Sequence, residues 1–166
     1  VKAFIIIYGV RHGIGMIMMV RDRDYRELLR ELSGKNVLLW TCNTCARLSD
    51  QVGGEASAVR LSDALSKDGV NIVGILHTSA SCLEAKVVSK YDAEMASKAD
   101  VILSLTCDIG AYLAGKVFGL PVINPIITLG PGYIDRDGGL YVATTDGLCN
   151  MREYASERGM GQGPFI

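Results

Sequence analysis

From residue 24 onward the chain alternates between short apolar runs and stretches with apolar residues at helical spacing. Residues 24–34, "DYRELLRELSG", put Tyr25, Leu28, Leu29 and Leu32 on one helical face, and Gly34 is a helix stop. "NVLLWT" then reads as a strand buried on both faces. "GEASAVRLSDALSKDG" carries Ala58, Leu61, Ala64 and Leu65 at helical spacing, with Gly69 beyond its end. "NIVGIL" reads as a second buried strand, "EAKVVSKYDAEMASKAD" as helix broken near Ser89, and "VILSLT" as a third strand. "DIGAYLAGKVFG" is a helix closed by Gly119, "PVINP" a fourth strand, "ITLGPGYIDRDGG" a loop, and "LYVAT" a further short strand. Strands that alternate with helices require crossover connections. The expected fold is therefore α/β: an open, mainly parallel, Rossmann-like sheet with crossover helices.

The 166 residues suit one domain with a sizeable core, taken here as residues 20–166. Residues 1–19 are an apolar segment set apart. Arg11 and His12 stand in its middle, where a charge argues against a membrane span, and no small-residue cleavage site follows. Residues 3–8 and 14–20 read as strands, and Met16, Met18 and Met19 are alternative starting points. The 17 basic and 18 acidic residues leave a net charge of −1, so neither nucleic acid nor an anionic membrane is an expected partner. Five cysteines, an odd number at uneven spacing, do not make a disulfide framework and point to a reducing cytoplasm.

The cysteines fall at informative places. Cys42 comes immediately after the first strand of the series, Cys45 lies a short turn beyond it, Cys82 comes a few residues after the second strand and Cys107 immediately after the third. The carboxyl ends of parallel strands share one edge, which is where ligands of open α/β sheets bind. Four thiols converging there suit a metal site at that edge, either tetrahedral zinc or an iron–sulfur cluster. With 36 residues between Cys45 and Cys82 and 24 between Cys82 and Cys107, the spacing is not that of a zinc ribbon. Two other readings stay open. Cys42-x-x-Cys45 after a strand also suits a redox dithiol, and all the cysteines can be structural.

These residues carry a resemblance. "CNTCARLSDQVGGEASAVRLSDAL", the lone Cys82 and "ADVILSLTCDIGAYLAGKVFGLPVINPIITLGPG" together span roughly residues 35–132. In order and spacing they resemble the small iron–sulfur subunit, or fused C-terminal domain, of bacterial-type methylenetetrahydrofolate reductases. The resemblance implies a role in one-carbon metabolism, with Cys42, Cys45, Cys82 and Cys107 as cluster ligands, of the 4Fe-4S kind or with zinc as the alternative. It also implies a flavin-dependent reductase as partner and a non-catalytic, electron-transfer or scaffolding role. Family members continue into a second cysteine-rich segment. Here only Cys149 lies in that region, so the chain resembles a one-site relative, with Cys149 spare.

Five further residues are candidates for contact with a bound group. Gly53 and Gly54 permit close backbone approach at a helix start, and the N–H groups of Ile109 and Gly110 can face an anionic cluster. Asp108 is the fifth, with an ordinary N-cap as its competing role. His77 is either a ligand, a base for Cys42 or a structural histidine. Trp40 reads as core, and Glu55 as a first-turn helix acid. No catalytic set can be assembled. The alternative functions are a thiol–disulfide oxidoreductase using Cys42 and Cys45, or a zinc-stabilised α/β binding module; a homo-oligomer stays open.

Overall fold

The computed structural model describes residues 17–158. The expected strand at 3–8 and the glycine-rich end from 159 lie outside the described residues.

Strands β2 (Asn36–Cys42), β3 (Asn71–Thr78), β4 (Val101–Leu105) and β5 (Val122–Ile123) form a parallel sheet in the order β3-β2-β4-β5. The expected α/β alternation is what builds it. Helix α1 (Tyr25–Leu32) precedes β2, and Asp24 caps it by accepting from the N–H groups of Arg26 and Glu27. The C-x-x-C turn forms a single-turn helix, α2 (Cys45–Leu48), ahead of α3 (Glu55–Lys67). The segment between β3 and β4 is split into α4 (Glu84–Val88) and α5 (Ala93–Lys98), with the break at Ser89. Helix α6 (Asp108–Phe118) ends at Gly119, whose φ of 67° is the left-handed conformation glycine adopts without strain.

The pattern of β2 explains why helices cover both sheet faces. Its successive side chains point to opposite faces, and both sets are apolar. Val37 and Leu39 pack with Leu28, Leu32, Leu61 and Leu65 of α1 and α3. Leu38 and Trp40 pack instead with Val87, Ala114 and Phe118 of α4 and α6. Strand β3 departs from expectation: it lies at the sheet edge and most of its residues are only half-buried.

The larger correction concerns the chain after residue 125. "ITLGPGYI" is not a loop but strand β6 (Ile126–Ile134). It joins β1 (Ile17–Asp22), β7 (Leu140–Thr144) and β8 (Gly147–Asn150) in an antiparallel sheet of order β1-β6-β7-β8, on which α7 (Met151–Glu157) packs. The described strands therefore form two four-stranded sheets, one parallel and one antiparallel, rather than one mainly parallel sheet. The glycines and proline that suggested a loop have sheet-specific roles. Gly132 lies where an added Cβ would stand 2.0 Å from the Tyr141 carbonyl oxygen and 2.6 Å from Met19 Cγ. Pro131 stands opposite Met18, and the register shifts between Met19 and Val20 mark a β-bulge beside it. Strand β1 also crosses the expected boundary at residue 19, and Met19 and Val20 are fully buried. Among the described residues no helix is long and apolar enough to cross a membrane.

Candidate functional site

Strands β2 and β4 are neighbours, but the helices that follow them, α3 and α6, pack on opposite faces of the sheet. The carboxyl ends of two such strands open a crevice at the point where the strand order reverses. Cys42 is the last residue of β2, and Cys107 is the N-cap of α6, directly after β4. Cys45 begins α2 just above, and Cys82 lies in the loop after β3.

The neighbouring thiols act on the ionisation of two of the four, Cys45 and Cys107. Burial pushes the Cys107 thiol pKa up, and the charges of Cys45 and Cys42 push it in the same direction. N–H donation from Gly110 and Ile109 works the other way. Cys45 is also raised, first by burial and then by Cys42 and Cys82, against an N–H bond from Met18. Cys42 is buried, and its thiol faces the Ser79 carbonyl at a long 3.9 Å. Cys82 is exposed. Cys149 sits on β8 opposite Val142, in the antiparallel sheet, and is not among the thiols acting on Cys45 or Cys107. Among the described residues, no three His, Cys, Asp or Glu side chains are set closely enough to hold one metal ion as they stand. The expected ligand set is thus gathered at one edge without being closed around a centre.

The expected backbone donors divide. Ile109 and Gly110 stand in the first turn of α6 beside Cys107, and their N–H groups lower its thiol pKa against the effect of burial. Gly53 and Gly54 do not, because their amides are taken: Gly53 N–H donates to the Ala46 carbonyl (2.9 Å) and Gly54 N–H to Thr41 Oγ1 (2.8 Å). Both glycines instead allow close packing on α2, where a Cβ on Gly53 would come within 2.5 Å of Ala46 Cβ. Asp108 is corrected twice. It is the first residue of α6 rather than its cap, and its N–H donates to Thr128 Oγ1 at 2.9 Å. Its carboxylate accepts from Asn124 Nδ2 at 3.3 Å.

His77 faces Asn43 and Glu55. Its Nδ1 lies 3.2 Å from Asn43 Nδ2, and its Nε2 lies 3.7 Å from Glu55 Oε2. Asn43 Oδ1 accepts the Glu55 N–H at 2.9 Å, so the amide nitrogen is the atom turned toward the ring. His77 therefore braces the C-x-x-C loop through Asn43.

Residues with no signal in the sequence complete the site. Trp40, confirmed as core, donates its buried Nε1–H to Ser81 Oγ at 2.7 Å, and that hydroxyl donates on to the Gly110 carbonyl at 3.3 Å. One serine thereby ties β2, the Cys82 loop and the start of α6. Met18 was hidden because its segment had been set apart from the domain. Comparison with protein-family models, curated proteins and solved structures gives no match to this chain.

Proposed function

We propose that the chain is an iron–sulfur accessory protein whose cluster, of the 4Fe-4S kind, is held by Cys42, Cys45, Cys82 and Cys107. The single observation that carries this reading is the convergence of these four thiols, from three strand ends, at the crevice of a parallel sheet covered on both faces. Such an edge is the ligand-binding edge of a Rossmann-like fold, the finer class to which we assign the parallel sheet. The donor set fits the group. Four thiols are available, two of them receive N–H donors, and such donors favour the thiolate and stabilise an anionic centre. A bound cluster would supply one-electron transfer or a structural tie between the crossover units.

The same reading makes the protein a cytoplasmic, non-catalytic subunit that works beside a flavin-dependent reductase of the methylenetetrahydrofolate reductase kind, in one-carbon metabolism. This finer part rests on the resemblance of residues 35–132. The rival thiol–disulfide oxidoreductase is less well supported. It uses only Cys42 and Cys45 and gives no role to Cys82 and Cys107, which stand at the same sheet edge. A zinc-stabilised module uses the same four ligands and differs only in the metal.

Iron, zinc and acid-labile sulfide analysis of anaerobically purified protein tests the reading. Wild type and Cys149→Ser should carry equal iron and sulfide, and Cys42→Ser and Cys107→Ser should lose both to the same extent. Stoichiometric zinc without sulfide would transfer the proposal to the zinc module. Full metal content in Cys107→Ser, or none in wild type, would overturn it.

A further inference from the structure

A strand at the rim of a sheet turns part of its main chain outward, and a chain that stays monomeric protects those groups. Among the described residues, three of the four rims are short or covered. β5 has two residues and β8 has four. At β1 the Val20 N–H donates to Ser49 Oγ, and that hydroxyl donates to the Val20 carbonyl, both at 3.0 Å. β3 is different. It runs for eight residues, pairs with β2 alone, and its sequence "NIVGILHT" holds no Asp, Glu, Lys, Arg or Pro. Its register with β2 slips once, at Val73, and is regular from Gly74 to Thr78. The side chains of Asn71 and His77 are engaged with Asn36 of β2 and with Asn43. β3 therefore carries none of the charges or prolines that commonly blunt an edge.

The helices beside this edge match a copy of themselves. α3 and α5 each pack against β3 and β2, with Leu61 and Leu65 of α3 in one core cluster and Met95 of α5 in the other. Glu55 Oε2 of α3 lies 3.7 Å from His77 Nε2, so that side of the helix borders the edge strand. One turn further on the same side, Val59 is 45% exposed. α3 has Glu55 in its first turn and Lys67 in its last, and α5 has Glu94 and Lys98 in the same places. A twofold axis through the edge, perpendicular to the sheet, sets β3 antiparallel to its copy and each helix antiparallel to its own copy. The acidic end of each helix then faces the basic end of the other. We propose that β3 pairs in this way with β3 of a second copy of the chain, joining two four-stranded parallel sheets into one continuous sheet. The pairing uses no thiol and no metal, so it stands apart from the proposed function.

Sedimentation velocity of the full chain over a concentration series reads the assembly, and deuterium exchange of the peptide spanning residues 71–78 reads the edge. Wild type should dimerise, and exchange in 71–78 should quicken on dilution into the monomer range while that of β4 stays unchanged. Val59→Arg changes an exposed side chain, should keep the helical circular dichroism of wild type, and should weaken the dimer about tenfold. Lys67→Glu should also weaken it, and Lys67→Glu combined with Glu55→Lys should restore it, because the two ends face each other across the axis. A monomer at every concentration overturns the proposal. So does a dimer whose 71–78 exchange is indifferent to dilution, or one that Val59→Arg or the paired charge reversal leaves unmoved, since its interface lies elsewhere. Slow exchange of 71–78 in a monomer would mean that another segment of the same chain covers the edge, and overturns it as well. A chain that binds no iron or zinc would defeat the proposed function and leave every one of these readings intact.

Discussion

Gly110 is the position at which the packing around the thiols can be tested most directly. A Cβ added there would stand 2.8 Å from Ser81 Cβ, 2.8 Å from Thr106 Oγ1 and 2.9 Å from Ser81 Oγ. Carbon atoms in good contact sit about 3.5–4.0 Å apart, so Ser81 must retreat by roughly 0.7 Å or more. Neither neighbour has room to do so, because Ser81 and Thr106 are both buried. Such overpacking costs about 1–3 kcal/mol. Alanine recovers up to ~1 kcal/mol of helix propensity, so Gly110→Ala should destabilise by about 1–2 kcal/mol. Retreat of Ser81 also loosens its bond from Trp40 Nε1 (2.7 Å) and its bond to the Gly110 carbonyl (3.3 Å). Trp40 is the only tryptophan, so its emission reports on this contact directly. Urea unfolding of metal-free wild type and Gly110→Ala, followed by that emission, gives the stability difference. Metal analysis after reconstitution gives the effect on the site, which should be a partial loss, because Ser81 adjoins Cys82. A variant as stable as wild type, with unchanged emission and full metal content, would refute the packing described here.

Other perturbations probe different links. Ser81→Ala leaves the buried Trp40 N–H without its partner and should cost about 1–3 kcal/mol; combined with Gly110→Ala it should cost less than the sum, because both act on one contact. Leu39→Ala, at a fully buried position of β2 facing α1 and α3, should cost about 2–5 kcal/mol in urea unfolding without selective loss of metal. The raised Cys45 and Cys107 thiols keep their protons in the metal-free protein, and binding must displace them. Affinity for a thiophilic ion such as cadmium should therefore rise with pH, by about tenfold per unit for each displaced proton, and level off above the raised pKa values. A pH-independent affinity across the neutral range would contradict this. The same shifts set the sign for the metal-free fold: its stability from these two thiols is present at lower pH and is lost as pH rises through their raised folded-state values.

Where one local rule decided the outcome, the structure was legible from the sequence. Helical spacing in residues 25–32 and 55–67, and the continuous apolar run 36–41, specified α1, α3 and β2 because burial on known faces dictates those periods. The placement of Cys42 and Cys107 at strand ends followed from the same runs. Strand β6 was not legible. Its Gly130, Pro131 and Gly132 look like turn residues, and only the facing Met18, Met19 and Tyr141 make sense of them. The partners of the Gly53 and Gly54 amides were not legible for a similar reason. Their acceptors, Ala46 and Thr41, lie 7 to 13 residues away, and nothing local in the sequence reveals them. Asp108 shows how narrow the margin is. A one-residue shift of the helix start makes Cys107 the cap and turns the expected cap into a partner of Asn124.

The arrangement of supports around the thiols also says which parts of the fold a bound metal would stabilise. Cys42, Cys82 and Cys107 come from segments that join through the parallel sheet and its helices; the antiparallel sheet adjoins them at Cys45, which packs against Ile17 and Met19 of β1, and beside Cys107, where the Asp108 N–H donates to Thr128 Oγ1 of β6. A shared centre would close the loops between these segments and so act as folding free energy. That energy should appear chiefly in β2, β4 and the start of α6, where the ligands are anchored. It should reach β1 and β6 through those two contacts and leave β7 and β8, with Cys149, almost unaffected. Amide exchange with and without metal would map this directly, since protection rises in a segment only if its opening breaks the site. Equal gains in both sheets would mean that the two unfold as one unit. Gains confined to the parallel sheet, β1 and β6 would mean that the thiol crevice, with the two strands that adjoin it, is a cooperative unit of its own.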